Sequence, residues 1–393
     1  MLVSKGRDKY PRVIARATVR DKLLLTALKN ILHEALPLEV PRKLPNQVVR
    51  ELLQSLSLNR EAEIIRGDIT SFYDNISHLK LRQMLGARLG CEKLIGLLMQ
   101  AITTAVVPPN YRRVDLGRYA NKRGVPQGLP ISNFLANLFL TKFDERMAAG
   151  MPAYHRYVDD IIVVSNKDER DDAIDKLARS LGGLGLKLNR EKTKTFQFSE
   201  RFEFLGYEVQ DGLCRPRLAS VEKYIRGIAS LFAQFRVKRL PGRKGTLEWT
   251  DEEFGDVFVE ELNERITGAI SQHKQYGWVF YFNESTDLST FSRVDKIVKA
   301  MARRTPNLTN EMRGRIKSLT RSYFESKYSK ANGYIANYDL IESNKDKLRF
   351  LLRMGYADKK NAENMSPAKV NALFREVISQ RLARLDQDVG LVS

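Results

Sequence analysis

The chain has 393 residues, 43% hydrophobic and 9% aromatic, with a formal net charge of +19; that is enough apolar material for a substantial core and two or three domains. An excess of 66 Lys and Arg over 47 Asp and Glu is more than solubility needs. It points to a polyanionic partner, nucleic acid before an anionic membrane surface, because no long basic amphipathic helix stands out. Cys91 and Cys214 are too few for a disulfide framework or thiolate metal cluster, and His33, His78, His155 and His273 lack metal-ligand spacing. No signal-peptide core or membrane-length apolar run is visible, so the chain reads as a soluble protein of a reducing compartment.

Residues 1–66 open on the basic stretch "KGRDKYPRVIARATVRDK", followed by the apolar helical "LLLTALKNILHEAL" and a polar helix ending at "LNREAE". From Ile64 to about Gly212 short apolar runs ("EIIRGDI", "IIVVS", "FEFLGYEV") predict strands, with helical periodicities between them. The clearest helix is "SNFLANLFLTKFDERMAAG": Ser132 can cap it, Leu135, Phe139, Phe143 and Met147 recur every four residues, and Gly150 can end it. This is an α+β or α/β core. After Arg215 strands largely give way to helices, first "SVEKYIRGIASLFAQF" and then "FGDVFVEELNERITGAISQHKQYGWVFYF", with "RVKRLPGRKGT" between them as an exposed basic loop. A last helix starts at Ser366 and Pro367, as N-cap and first residue, and runs through "KVNALFREVISQRLARL".

The chemistry sits in the α+β part. Asp68 ends an apolar strand in "IIRGDITSFYDNISH", and Asp159 and Asp160 fill a tight connection between two apolar strands in "AYHRYVDDIIVVSN". If those strands share a sheet, three carboxylates converge, which is costly unless cations neutralise them. Carboxylate oxygens suit Mg²⁺, and two such ions about 4 Å apart can activate a 3′-hydroxyl and stabilise a departing pyrophosphate. Each piece alone has an ordinary reading: "DD" as a solvated turn, "DITSFYD" as a helix start capped by Asp68 or Thr70.

Their company adds to the case. In "RGVPQGLPISNFLANLFL", Gly124, Pro126, Gly128 and Pro130 make a stiff turn that permits close approach, followed by a helix. Taken in order, "DITSFYD", "GVPQGLPIS", "YVDD", "GLKLNREKTKT" and "FLGY" resemble motifs A to E of reverse transcriptases, from about Arg12 to Gly212. A looser likeness to the thumb of bacterial members extends through "RITGAISQHKQYGWVFYF". The resemblance implies an α+β right-hand polymerase. Its short fingers would be residues 1–63. An RRM-like palm with an antiparallel sheet would span 64–215, with a fingers insertion at 79–123. A helical thumb would follow at 216–300 and an all-α region at 301–393.

It also implies roles. Asp68 and Asp159 would bridge two Mg²⁺ ions (Mn²⁺ as the substitute), with Asp160 a supporting ligand and the Ile69 carbonyl a further one. Tyr73 would be the gate against a ribose 2′-hydroxyl, favouring dNTPs, and Gln127 and Gly128 would lie against the incoming nucleotide. Lys192, with Lys194 as a near alternative, would give a proton to pyrophosphate; Arg12 and Lys9 would hold the triphosphate. Val158 would stand beside the primer terminus and Leu205 and Gly206 would form the primer grip, while Lys238, Arg239, Arg243 and Lys244 would touch the nucleic-acid backbone.

Asn133 departs from the proline that often follows "PIS", and only 67 residues precede Asp68, so the fingers start abruptly. With no Cys/His cluster, ribonuclease H carboxylates or "VTG" element, the layout looks most like bacterial defence-associated and abortive-infection reverse transcriptases. Those act in the cytoplasm against phage, with a noncoding RNA template, a DNA product and in cases a second protein or self-association. An untemplated or protein-primed polymerase, a retron-like enzyme and a catalytically dead RNA-binding scaffold are the alternatives. In the last section Tyr323, Phe324, Tyr328, Tyr334 and Tyr338 read equally as an RNA-stacking surface or as helical core.

Overall fold

The computed structural model describes residues 2–3, 11–37, 40, 43–108, 110–151, 153–237, 249–328, 333–358, 362 and 365–389. Two compact units divide it, Met1–Glu200 and Arg201–Val392.

In the first unit, β1 (Leu2–Val3) pairs with β2 (Arg12–Val13), and two helices follow, α1 (Val19–Ala35) and α2 (Pro45–Leu58). Next come β3 (Glu63–Asp68), α3 (Phe72–Asn75), α4 (His78–Gly86), α5 (Glu92–Thr103), α6 (Ser132–Gly150), β4 (Ala153–Tyr157), β5 (Asp160–Ser165), α7 (Arg170–Leu184) and β6 (Lys194–Gln197). The four longer strands make one sheet in the order β4-β5-β3-β6, every neighbouring pair antiparallel.

This sheet is covered on both faces, which is why its strands read as unbroken apolar runs rather than alternating ones. Ile65, Ile161 and Val163 join the core made with Leu135, Phe139 and Phe143 of α6 and Leu177 of α7. Ile64, Ile162 and Val164 are buried on the opposite face. There α2 packs on β4, and Ser55 Oγ lies 3.0 Å from His155 Nε2. Burial lowers the His155 pKa, with Glu51 opposing, and the ring packs between α2 and β4.

The expectation for Ser132 needs correction. The α6 cap position belongs to Ile131, and Ser132 Oγ instead donates to the Pro126 carbonyl at 2.6 Å, tying the preceding turn to the helix. Gly150 is the last helical residue.

β4 is fastened to α6 by an ion pair. Arg156 donates to Asp144 through Nε at 2.7 Å and Nη2 at 2.5 Å, the Tyr154 hydroxyl donates to the same carboxylate at 2.6 Å, and Arg156 Nη1 donates to the Val158 carbonyl at 2.7 Å. A helix–strand contact thereby reaches the turn that carries Asp159.

The second unit opens with the three-stranded antiparallel sheet β7 (Phe202–Phe204), β8 (Tyr207–Gln210) and β9 (Leu213–Pro216). Then come α8 (Leu218–Arg236) and α9 (Asp251–Thr267), the latter held by a capping box between Thr250 and Glu253. The expected helical continuation through "GAISQHKQYGWVFYF" is not what forms. The helix stops at Thr267, and β10 (Ala269–Ser271) and β11 (Lys274–Tyr276) make a hairpin before α10 (Trp278–Tyr281). Gly268 and Gly277 take φ of 67° and 114°, and a Cβ on Gly268 would sit 2.5 Å from the Tyr276 carbonyl oxygen. The Asp339 carboxylate accepts from the Gln272 and His273 amides at 2.6 and 2.9 Å, satisfying the turn.

The unit is completed by α11 (Ser289–Arg303), α12 (Asn310–Gly314), α13 (Leu319–Tyr328), β12 (Ala336–Asn337), α14 (Asn344–Arg353) and α15 (Pro367–Val389), with β12 adding a parallel edge to β10. Among the described residues from 301 to 389 the elements are helices apart from that short strand, and the last helix starts as expected, Ser366 Oγ accepting from the Lys369 amide at 3.4 Å. At the centre Trp278 stacks on Tyr224 at 4.7 Å and lies 4.6 Å from Phe282 and 5.5 Å from Phe291. α15 returns to α9 through Arg265 Nε, 2.6 Å from Asp388 Oδ2, and through Arg381, which pairs with Glu264.

Asp144→Ala leaves the Arg156 guanidinium buried without its carboxylate, which costs about 3–5 kcal/mol when one partner of a buried pair is removed. Chemical denaturation should show a drop of that size in unfolding free energy, against under ~1 kcal/mol for a surface control such as Asp171→Ala.

Candidate active site

The register of β3 against β5 sets Asp68 directly opposite Asp160, and the register of β4 against β5 sets Tyr157 opposite Asp160 on its other side. Val158 and Asp159 form the two-residue turn between β4 and β5. Val158 has φ of 57°, a left-handed conformation that a β-branched residue rarely adopts, so the turn stores strain beside the acids. Its carbonyl is held by Arg156 as described.

Each of the two facing carboxylates has its own cation. Lys192 Nζ lies 2.6 Å from Asp68 Oδ2, and Arg66 Nη2 lies 3.4 Å from Asp160 Oδ1. Asn189 closes the strand end: its amide donates to the Asp68 carbonyl at 2.8 Å and its Nδ2 stands 3.5 Å from Asp68 Oδ2. The "KLNREK" loop therefore wraps the end of β3, and the Thr70 amide donates to the Lys187 carbonyl at 2.9 Å. Burial raises the Asp160 pKa, with the neighbouring Asp68 charge adding to it and Arg66 and Lys192 opposing. The buried Ile69 follows Asp68 and bridges to Leu188.

The "RGVPQG" turn is stitched to two other segments by close backbone approaches. The Val125 amide donates to the Tyr73 carbonyl at 2.8 Å and the Gly124 amide to the Ile76 carbonyl at 2.8 Å. A Cβ on Gly124 would lie 2.8 Å from Tyr73 O and Asp74 Cα. Two residues further on, the Ala15 amide donates to the Gln127 carbonyl at 2.7 Å, and a Cβ on Gly128 would lie 2.6 Å from Ala15 O. Tyr73, half-buried on α3, thus sits by Gly124, while Gln127 and Gly128 meet the segment that follows Arg12.

Asp68, Asp160 and Lys192 are brought together, with Asp159 in the adjoining turn; Lys194 lies instead on β6 opposite Arg66. Among the described residues no group of three or more His, Cys, Asp or Glu is drawn together as a metal site; Asp68 and Asp160 face each other as a carboxylate pair, each flanked by a cation. Those carboxylates and the Ile69 carbonyl are hard oxygen donors of the kind Mg²⁺ takes. In the second unit Leu205 and Gly206 form the β7–β8 turn with φ of 48° and 81°, and the Tyr281 hydroxyl donates to the Leu205 carbonyl at 3.0 Å. Arg12 lies in β2; Lys9, Lys238, Arg239, Arg243 and Lys244 lie outside the described residues. Sequence reasoning missed Arg66 and Asn189. Arg66 had a signal, since it stands two residues before Asp68 on a strand and so shares its face.

A family model described as "Reverse transcriptase (RNA-dependent DNA polymerase)" matches residues 3–209. The chain is 28% identical to Protein YkfC of Escherichia coli (strain K12), covering 37% of this chain and 46% of that one. It is 32% identical to an uncharacterized 91 kDa protein in a cob intron of Schizosaccharomyces pombe, covering 21% of this chain and 9% of that protein. The chain thus spans less than half the length of the curated relatives it matches. Telomerase from Candida tropicalis gives a TM-score of 0.41 at 14% identity, both apo and in complex with a TWJ fragment of telomeric RNA. Those matches cover 96% of this chain and 60% and 57% of the two telomerase chains respectively.

The Asp160 carboxyl, raised by burial, costs the fold stability above its folded pKa and ceases to do so as pH falls through that value. Asp160→Asn should therefore raise the melting temperature at pH 7 in chelator, and the gain should shrink on acidification; differential scanning fluorimetry across pH 4–8 reads both.

Proposed function

Because this chain belongs to the reverse transcriptase (RNA-dependent DNA polymerase) family, we propose that its facing carboxylates carry nucleotidyl transfer, making DNA from dNTPs on an RNA template. The observation that supports this most directly is Asp68 opposite Asp160 at a sheet end, beside the strained Val158–Asp159 turn. Under this reading residues 1–63 act as fingers, 64–215 as palm with the insertion at 79–123, 216–300 as thumb and 301–393 as an added helical region.

Asp68, Asp159, Asp160 and the Ile69 carbonyl would hold two Mg²⁺ ions, which when bound lower the pKa of the attacking 3′-hydroxyl and offset charge on the leaving pyrophosphate. The chain's own residues do the rest. Lys192, held at Asp68, is the proton donor to pyrophosphate. Tyr73, braced by the Gly124 turn, leaves no room for a 2′-hydroxyl on the incoming sugar, and Gln127 and Gly128 line the nucleotide. Arg12 and Lys9 take the triphosphate; Val158 limits the primer terminus, and Leu205 and Gly206 grip the primer. Lys238, Arg239, Arg243 and Lys244 add backbone contacts that salt would weaken.

The finer reading is a bacterial antiphage enzyme working in the cytoplasm with a dedicated noncoding RNA. What supports it is the layout likeness drawn from the sequence: a compact polymerase followed by an added helical region.

Primer extension on a heteropolymeric RNA template with Mg²⁺ and dNTPs tests the activity. Asp159→Ala should reduce synthesis by at least about a thousandfold with the circular dichroism unchanged; equal synthesis by the variant overturns the assignment. Tyr73→Ala should raise ribonucleotide use relative to deoxynucleotide by about 10- to 200-fold, the range one steric clash supplies. The sequence of the product, compared with the template, reads whether synthesis is templated.

A further inference from the structure

The aromatic residues near the C-terminal end divide sharply. Tyr323 and Tyr338 are 4% and 7% exposed, and their hydroxyls are satisfied inside, Tyr323 donating to the Ser285 carbonyl at 2.7 Å and Tyr338 bonding to Glu264. Those two are core. Phe324 and Tyr328 are 46% and 70% exposed, and their rings stack on each other with centroids 6.3 Å apart and planes 26° from parallel.

What surrounds them on α13 decides what they suit. Over residues 321–328 the exposed positions are Arg321, Phe324, Lys327 and Tyr328, while Ser322, Tyr323, Glu325 and Ser326 are buried. The outward face of this stretch therefore carries two cations and two rings, with no aliphatic residue and no exposed acid, and Lys327 Nζ is held there by donating to the Tyr323 hydroxyl at 3.0 Å and the Asn283 carbonyl at 3.3 Å. Arg321 extends the pattern sideways: its guanidinium lies 4.3 Å over the Tyr334 ring, with Lys317 Nζ 5.0 Å from the same ring and Glu325 bonded to Arg321 Nε at 3.3 Å. Protein-docking faces are also rich in Tyr, Phe and Arg, but they are poor in Lys, which this face carries. Rings presented edge to edge with ammonium and guanidinium groups match single-stranded nucleic acid, whose bases stack and whose phosphates pair with cations.

We propose that the outward face of α13, with Phe324 and Tyr328 as its rings and Arg321 and Lys327 as its cations, is a base-stacking platform for single-stranded nucleic acid. Two unstacked bases would lie on the ring step, and the flanking phosphates would meet the cations. The site is made of second-unit residues alone and needs neither metal nor dNTP, so its failure and the failure of the polymerase reading are distinguishable.

The experiment uses the full chain in chelator without nucleotide. Fluorescence anisotropy with labelled oligouridylate and oligothymidylate of equal length measures affinity across salt, and 5-iodouracil in each oligonucleotide, photolysed and mapped by mass spectrometry, locates the contact. Cross-links on Phe324 or Tyr328 are expected. Phe324→Ala and Tyr328→Ala should each weaken binding by about five- to a hundredfold, the effect of one lost base–ring stack. Tyr328→Phe should bind within about twofold of the parent, and Arg321→Ala should reduce the salt slope by about 0.7, the value for one phosphate on a single strand. Tighter binding of one oligonucleotide tells whether RNA or DNA is the ligand, and either supports the platform. Cross-links elsewhere with unchanged affinity in both alanine variants overturn it, as does loss of self-association in place of loss of binding, measured by sedimentation.

Discussion

The pairing of β3 with β5 in one register is what the first unit depends on. It puts two carboxylates face to face, which an antiparallel pair resists. The rest of the same two strands offsets that repulsion: Ile64, Ile65, Ile161, Ile162, Val163 and Val164 are all buried, three on each face of the sheet. A slip of β3 by one residue would exchange its faces and turn Asp68 toward the side packed by α6 and α7, so the apolar length of the strands dictates where the charged end must fall. Arg66 and Lys192 then balance the acids that the register cannot separate.

Much of this was legible because the signals are local. The apolar runs named β3 and β5, the tight turn expected at Asp159 and Asp160 forms one residue earlier at Val158 and Asp159 with Asp160 starting β5, and the four-residue spacing in α6 marked its buried side. The counter-ions were not legible in the same way. Whether Arg66 or Lys194 lies nearest an acid depends on strand partners, and Ser132 looks like a cap until the Pro126 carbonyl is known to face it.

The hairpin of β10 and β11 was hidden for another reason. Its flanks keep an apolar spacing that suits a helix, and the backbone breaks it at positive φ, at Gln272 and His273 in the tip and at Gly268 and Gly277, where glycine takes that region most freely. The sorting of Tyr323 from Phe324 was likewise out of reach. Adjacent residues on a helix point about 100° apart, and which of them meets the core depends on where α11 and the Ser285 loop lie. Local propensity read the elements well, and distant partners chose their functions.

Arg265 and Asp388 are 123 positions apart in the chain, and Arg381 reaches Glu264 across 117. The core of the second unit is thus closed by α15, far along the chain from the helices it meets. The first unit has all of its strands by Gln197 and nothing of that kind to wait for. During synthesis, at roughly 5–20 residues per second, the carboxylate-bearing unit can fold while the next is still emerging. The second unit cannot complete these contacts until α15 is made, about 8–34 seconds after Gln197 at that rate. Conditions that slow translation late in the message, or chaperones that shield aromatic surface, bear on that half of the molecule and leave the other half untouched.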